Sequence, residues 1–279
     1  MTRFFRPLTL AITACMLAVT TLRAQTPQYT SFAGVRHTSE PDTGAVARAL
    51  AASTADPKNV DKLITLGLAQ TAIRQVREAI ATFTTAIMLE PTKAILYRHR
   101  GHRYVSLGEY DQALADMNTG AKLDATIYGI WYHKGVAHFA KQQFAEAAQA
   151  FATGRPHAPS DNEFIGSTDW MWMSLARAGK ATEAEQVIRS IPDSVKIPAD
   201  YAYGRRLRLY RGETAPDDVM QPGDTAGVQV STLAFGIGNW YLVKKDTAKA
   251  KAWFERSVAG KGWPAFAYLI SERELKRLK

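Results

Sequence analysis

The sequence predicts an all-α fold, a solenoid of stacked antiparallel helix pairs. Three observations carry that prediction. The first is a period. Gly67, Gly101 and Gly135 recur at intervals of 34 residues, and Ala79, Ala113 and Ala147 keep the same interval. So do Phe83, Met117 and Phe151, and then Ala86, Gly120 and Gly154. Four registers in step mark a repeated supersecondary unit, which buries its apolar face by stacking on the next copy. The second is spacing. "REAIATFTTAIML", "DQALADMNTGAKL" and "AEAAQAFATGRPH" each place apolar residues at i, i+4 and i+7, one face of a helix. The third is termination, since Pro91 and Pro159 follow two of these segments.

Each unit opens on a first helix: "LITLGLAQ", "YRHRGHRY" and "WYHKGVAH". A bulky residue (Leu63, Tyr97, Trp131) precedes a glycine by four positions. Glycine costs about 1 kcal/mol inside a helix. Its recurrence calls for close approach of the second helix, which a side chain would block. The units span residues 60–93, 94–127 and 128–161. Ahead of them, "AVARALAAST" reads as one more helix.

Beyond residue 161 the pattern loosens, and 162–230 holds degenerate repeats. "TDWMWMSLARAGKATEAEQVIRSI" reads as a fourth pair, with Gly179 in the turn and Ala184 and Ile188 inside. "ADYAYGRRLRLYRGE" is a helix, "APDDVM" a short one and "QPGDTAG" a loop. A late unit, 231–262, returns Gly238, Tyr241, Ala250, Phe254 and Ser257 to the register. Residues 263–279 form a last helix whose polar outer face caps the stack. Trp170, Trp172, Trp240 and Tyr241 read as core. Asp169 either caps a helix or neutralises a neighbouring arginine.

The first 24 residues read as a signal peptide. "MTRFFRP" is basic, "LTLAITACMLAVTTL" is apolar and "RAQ" is a small-residue exit, with cleavage after Ala24. The apolar core is short for a membrane span. "ITAC" offers a second route, a lipid anchor at Cys15 preceded by Ile12, Thr13 and Ala14. Cleavage after Ala24 removes three arginines and no acid, so the net charge of +9 falls to +6. It also removes the only cysteine, which suits an oxidising compartment. Residues 25–43, rich in Thr, Ser, Pro and Gly, read as a flexible linker, which leaves the solenoid to 44–279.

The units resemble the tetratricopeptide repeat (TPR) family, in detail over residues 60–160 and in outline over 45–279. Gln70 and His138 depart from it in the register of Tyr104, as do Arg100 and Lys134 in the register of Leu66. The C-terminal layout is also similar to exported bacterial TPR lipoproteins that act as adaptors for cell-wall enzymes. The resemblance implies that the first helices line a concave groove. Its register holds Ile64 and Leu68, then Arg98 and His102, then Tyr132 and Val136, with Phe139 one turn on. Such a groove is greasy at both sides with a cationic centre. It suits an extended or helical peptide with apolar side chains and a carboxylate. The family's carboxylate clamp wants polar groups where Ile64 and Leu68 stand.

The basic runs divide. Arg98 and His102 share a face and are either groove residues or plain surface. His99 and Arg103 read as a solvated face, and Arg100 as a long stem snorkelling over a wet edge. Arg205, Arg208 and Arg211 read as a second solvated face. Neither run carries the interleaved aromatics of a nucleic-acid groove. The histidines follow no metal-ligand spacing. No nucleophile elbow, P-loop or dinucleotide fingerprint occurs, so catalytic, cofactor and metal residues are none. The expected function is an exported TPR scaffold binding a protein or peptide, acidic in character, in the periplasm or outside the cell. The alternatives are a structural subunit using its convex or C-terminal surface, and an enzyme with a dispersed His/Arg/Asp site.

Overall fold

The computed structural model describes residues 27–279, and those residues form thirteen α-helices and one small hairpin. The all-α expectation holds. The signal peptide and Cys15 lie outside the described residues. After α1 (Ala45–Ala55) come three antiparallel pairs: α2 (Val60–Ala72) with α3 (Val76–Leu89), α4 (Ala94–Leu107) with α5 (Tyr110–Leu123), and α6 (Tyr128–Ala140) with α7 (Phe144–Gly154). A fourth pair is α8 (Asp161–Arg177) with α9 (Ala181–Arg189). The lone α10 (Ala202–Tyr210) precedes the last pair, α11 (Gly227–Val243) with α12 (Thr247–Ala259), and then α13 (Phe266–Arg277). The first helices α4, α6, α8 and α11 touch in succession and form an inner row.

One contact repeats through the stack. A Cβ at Gly67 would lie 2.6 Å from the Phe83 ring, at Gly101 2.6 Å from Met117, and at Gly135 2.6 Å from Phe151. Gly238 makes the same approach to Phe254, at 2.7 Å. The recurrent glycine is the socket for the bulky residue of the second helix, which explains why both keep the period. The turns between first and second helices repeat as well. Gly108 takes φ 73° there, while Arg74, Gln142 and Lys245 each take φ 62°.

The main core joins the third unit to the C-terminal part. Phe139 packs edge-on against Trp170 at 5.2 Å, and Trp170 lies 5.4 Å from Phe235. Each such side chain contributes about 1.5–3 kcal/mol on full burial. Trp170, Trp172 and Tyr241 are buried and Trp240 half-buried.

Four expectations are corrected. The last helix is not an end cap. It packs on α11 and α12 of the preceding pair, but it also reaches α4 and α6 of the first helices. Trp263 Nε1 donates to the Ser106 carbonyl at 3.3 Å, Arg273 to that of Gly108 at 2.8 Å, and Arg277 to that of Ala140 at 2.9 Å. A cap needs one apolar face. In α13, Ala267 to Glu272 are buried in unbroken succession, and a helix covered all round needs a groove to lie in.

Residues 27–43 are not a linker. Strands β1 (Tyr29–Thr30) and β2 (Arg36–His37) form an antiparallel hairpin. Tyr29 and His37 stack on Trp263, and the Tyr29 hydroxyl donates to Glu272 at 2.6 Å. Gln28 donates to Glu78 at 2.9 Å and its carbonyl accepts from Arg77 at 3.0 Å. The polar residues that suggest a loop are spent on fixed partners.

The solvated faces are only partly so: Arg211 is exposed and Arg208 half-buried, but Arg103 and Arg205 are buried and His99 and Arg100 half-buried against partners. Arg100 donates to both Asp116 oxygens at 2.8 and 2.7 Å, and His99 stacks on Phe83 at 5.2 Å. Arg103 is only 7% exposed. In α10, Arg205 is buried against Asp224 at 2.7 Å, and Arg208 donates to the Ala199 carbonyl. Arg206 lies wholly inside, 2.8 Å from the equally buried Asp169. The open choice for Asp169 resolves to neutralising an arginine.

Val136 and Phe139 are not groove residues. Both are fully buried. The C-terminal helices close over that end of the inner row, so the register points at protein rather than solvent.

Candidate peptide-binding cleft

The inner row opens in a cleft of about 710 Å³ at the N-terminal ends of α4, α6 and α8. Helix α4 supplies Ile95 and Arg98, one turn apart. Helix α6 supplies Tyr128, Tyr132 and His133, and α8 supplies Asn162, Glu163 and Gly166. Tyr201, just before α10, closes the far wall, and His157 and Pro159 line the rim.

The tyrosines brace this wall. Tyr128 donates to the Glu163 carbonyl at 2.9 Å and lies the same distance from Ser167 Oγ. Tyr201 donates to the Asn162 carbonyl at 2.9 Å, and the Tyr132 and Tyr203 hydroxyls meet at 3.3 Å. These bonds tie α6, α8 and α10 together. Burial pushes the Tyr128 and Tyr132 hydroxyls up, so both are neutral donors at neutral pH. A rigid aromatic lining results, which orders a ligand at little entropic cost.

Arg98 is the charge in this cleft. Its side chain crosses α6 at Gly129, where a Cβ would lie 2.5 Å from Nε. Nη1 is 3.3 Å from His99 Nδ1. Among the described residues it meets no carboxylate, and residues 1–26 contain no Asp or Glu. Burial lowers its pKa, yet a guanidinium stays charged at neutral pH. The lining carboxylate, Glu163, is engaged by the Ser160 hydroxyl.

Behind Arg98 lies a cluster of basic groups. His102 stacks on His133 with centroids 3.9 Å apart, and Phe266 of α13 covers both edge-on. His133 Nδ1 contacts the Gly129 carbonyl, while His102 Nδ1 is buried without a partner among the described residues. Burial, reinforced by Arg103, His133, Arg98 and His99, holds His102 far below the usual imidazole range. Burial and Arg98 do the same to His133. Arg103 is pushed down to about 9 by burial and by Arg98. The imidazoles are neutral at neutral pH, so the positive charge beside the cleft is that of Arg98 and Arg103, and it favours an anion.

Of the residues expected in the groove, Arg98 and Tyr132 meet in this cleft. His102 lies beneath it, covered by Phe266. Ile64 and Leu68 are on α2, outside the cleft, Ile64 half-buried and Leu68 44% exposed. Tyr128 was legible in principle, because it stands four residues before Tyr132 on one helix face. Tyr201 was not, because it arrives through an aperiodic segment.

No family model matches the chain. A protein SGT1 homolog of Oryza sativa is 31% identical over 86 residues, 31% of this chain and 23% of that protein. Small glutamine-rich tetratricopeptide repeat-containing protein 2 of Saccharomyces cerevisiae is 36% identical over 73 residues, 26% and 21% of the two chains. The match thus spans less than a quarter of either relative. A tetratricopeptide repeat protein of Parabacteroides merdae superposes with a TM-score of 0.51, over 84% of this chain and 91% of that one, at 19% identity. That likeness is one of fold.

Proposed function

We propose that the chain, a solenoid of the tetratricopeptide-repeat kind, is an exported, non-catalytic adaptor that holds a segment of a partner protein in its cleft. The observation that carries this reading is Arg98, a half-buried cation without a carboxylate in a rigid tyrosine-walled cleft. A buried charge costs free energy unless it is paired, and a ligand carboxylate supplies the pair. The ligand class is therefore an extended peptide with an apolar or aromatic side chain for the Tyr128–Tyr132 wall and an acidic group for Arg98. Helix α13 packs on α4 and α6 and Phe266 covers His102 and His133 behind the cleft, so the site takes a short segment.

The basic–apolar–small layout of residues 1–24 supports export, with the adaptor working in the periplasm or outside the cell. The repeat solenoid supports a scaffold, because stacked units present extended surface for other proteins.

The test uses residues 25–279 as bait in an envelope extract beside an Arg98→Glu variant of equal helical content. Bound proteins are identified by mass spectrometry, and the captured segment is synthesised and titrated calorimetrically. Charge reversal at a desolvated ion pair is expected to weaken Kd by about 30-fold or more. Equal affinity for both baits would remove the cleft from the function.

A further inference from the structure

Phe32 and Val35 stand at the tip of the N-terminal hairpin, 53% and 51% exposed. The tip is held in one shape. Ser31 N donates to the Val35 carbonyl and Val35 N to Ser31 Oγ, each at 2.9 Å, with Gly34 at φ 81°. Its base is tied to α13, where Glu272 accepts from the Tyr29 hydroxyl and from Phe32 N. Two apolar side chains are thus offered to solvent from a fixed platform, although the fold gains nothing from their exposure.

Beside Phe32 runs a shallow cleft of about 370 Å³, walled by Ala33, Val258 and Leu275. Its rim is basic. Arg273 and Lys276 stand 5.8 and 5.3 Å from the Phe32 ring centroid, and Lys279 lines the same cleft. The carboxylate that lines it, Glu272, is buried and already bonded.

An apolar tip inside a basic rim has the chemistry of an anionic lipid surface. An aromatic and an aliphatic side chain enter the acyl boundary while lysine and arginine stay among the headgroups. The lipid-anchored alternative agrees with this. Cys15 stands seventeen positions before Phe32. Seventeen extended residues reach about 60 Å, so a lipid on Cys15 would keep the hairpin within reach of the bilayer surface. We propose that the hairpin tip and the basic end of α13 form a docking surface for an anionic bilayer.

The test is co-sedimentation of residues 25–279, which contain every element and contact described above, with folding verified by circular dichroism and cooperative thermal unfolding. Vesicles of phosphatidylethanolamine with phosphatidylglycerol are compared with vesicles of phosphatidylcholine alone. The chain is expected to sediment with the anionic vesicles and not with the neutral ones. Phe32→Ser with Val35→Ser is expected to abolish sedimentation. Lys276→Gln with Lys279→Gln is expected to lower the partition coefficient by about five-fold for each charge removed. All four positions are exposed or at the rim, so the variants retain the melting temperature of the parent. No sedimentation with anionic vesicles would overturn the proposal, as would sedimentation that neither double variant changes. A dimer in light scattering that Phe32→Ser with Val35→Ser converts to a monomer would assign the tip to a second copy of the chain and overturn it equally.

Discussion

Replacing Asp169 by asparagine strands Arg206 inside the protein. Both side chains are fully buried, and Arg206 Nη2 lies 2.8 Å from Asp169 Oδ2. The contact is an ion pair more than an aligned hydrogen bond, and the Tyr210 hydroxyl also acts on the carboxylate. Arg206 spends its other donors on the Thr232 carbonyl at 3.2 Å and the Tyr210 hydroxyl at 3.2 Å, between the rings of Tyr203 and Phe235. Burial pushes the Asp169 carboxyl up, and the guanidinium opposes that rise. Removing one partner of such a pair leaves a buried charge uncompensated and costs about 3–5 kcal/mol. For a domain of this size each kcal/mol moves the melting temperature by about 2–4 °C. Asp169→Asn and Arg206→Met are therefore each expected to melt about 6–20 °C below the parent. Asp169→Leu with Arg206→Met removes both charges together and is expected to recover most of that loss. Thermal unfolding of the two singles and the double closes a mutant cycle. Singles that lose less than about 1 kcal/mol, or a double equal to the sum of its singles, would refute the account.

Acid is expected to loosen the seam between α4, α6 and α13. Burial lowers the folded pKa of His102 and His133 far below 6.5, and that of His99 to about 4. A depressed imidazole pKa means that the unfolded chain binds the proton more readily, so this stability is present above pH ~6.5 and lost as pH falls toward the folded values. Each histidine contributes up to about 1.4 kcal/mol per pH unit in that window. Ring signals of His102 and His133 that titrate in the ordinary range by NMR would contradict this. Gly135→Ala drives a methyl to 2.6 Å from Phe151 and is expected to cost about 1–3 kcal/mol in urea unfolding. A neutral result would mean that the socket is not closed. Gln142→Gly relieves a left-handed residue at φ 62° and is expected to add about 0.5–1 kcal/mol, the backbone penalty less glycine's extra chain entropy. A loss of stability would show that the Gln142 side chain makes an interaction worth more than the strain.

Much of the fold was legible because its stabilising contact is local. Gly67 meets Phe83 sixteen positions later, and Gly101 meets Met117 and Gly135 meets Phe151 at the same separation. A contact that short, repeated at a fixed interval, writes itself into the sequence as a period. By itself the sequence thus determined helix pairs and their stacking, while the side where Arg98 and Tyr132 stand came from the resemblance to the repeat family.

What covers that side was decided only by the tertiary structure. Trp263 reaches Ser106 across 157 positions and Arg277 reaches Ala140 across 137. Neither contact repeats, so no register announces it. The consequences reach the candidate site directly. Val136 and Phe139 leave the groove for the core, and His102 is roofed by Phe266. The charges follow the same rule. Arg100 and Arg205 resemble a wet surface when read alone, because an arginine's exposure depends on a carboxylate elsewhere in the chain. Asp116 and Asp224 supply those partners from other positions, as Asp169 does for Arg206. Arg98 has no such partner among the described residues, and only the folded chain distinguishes it from its neighbours.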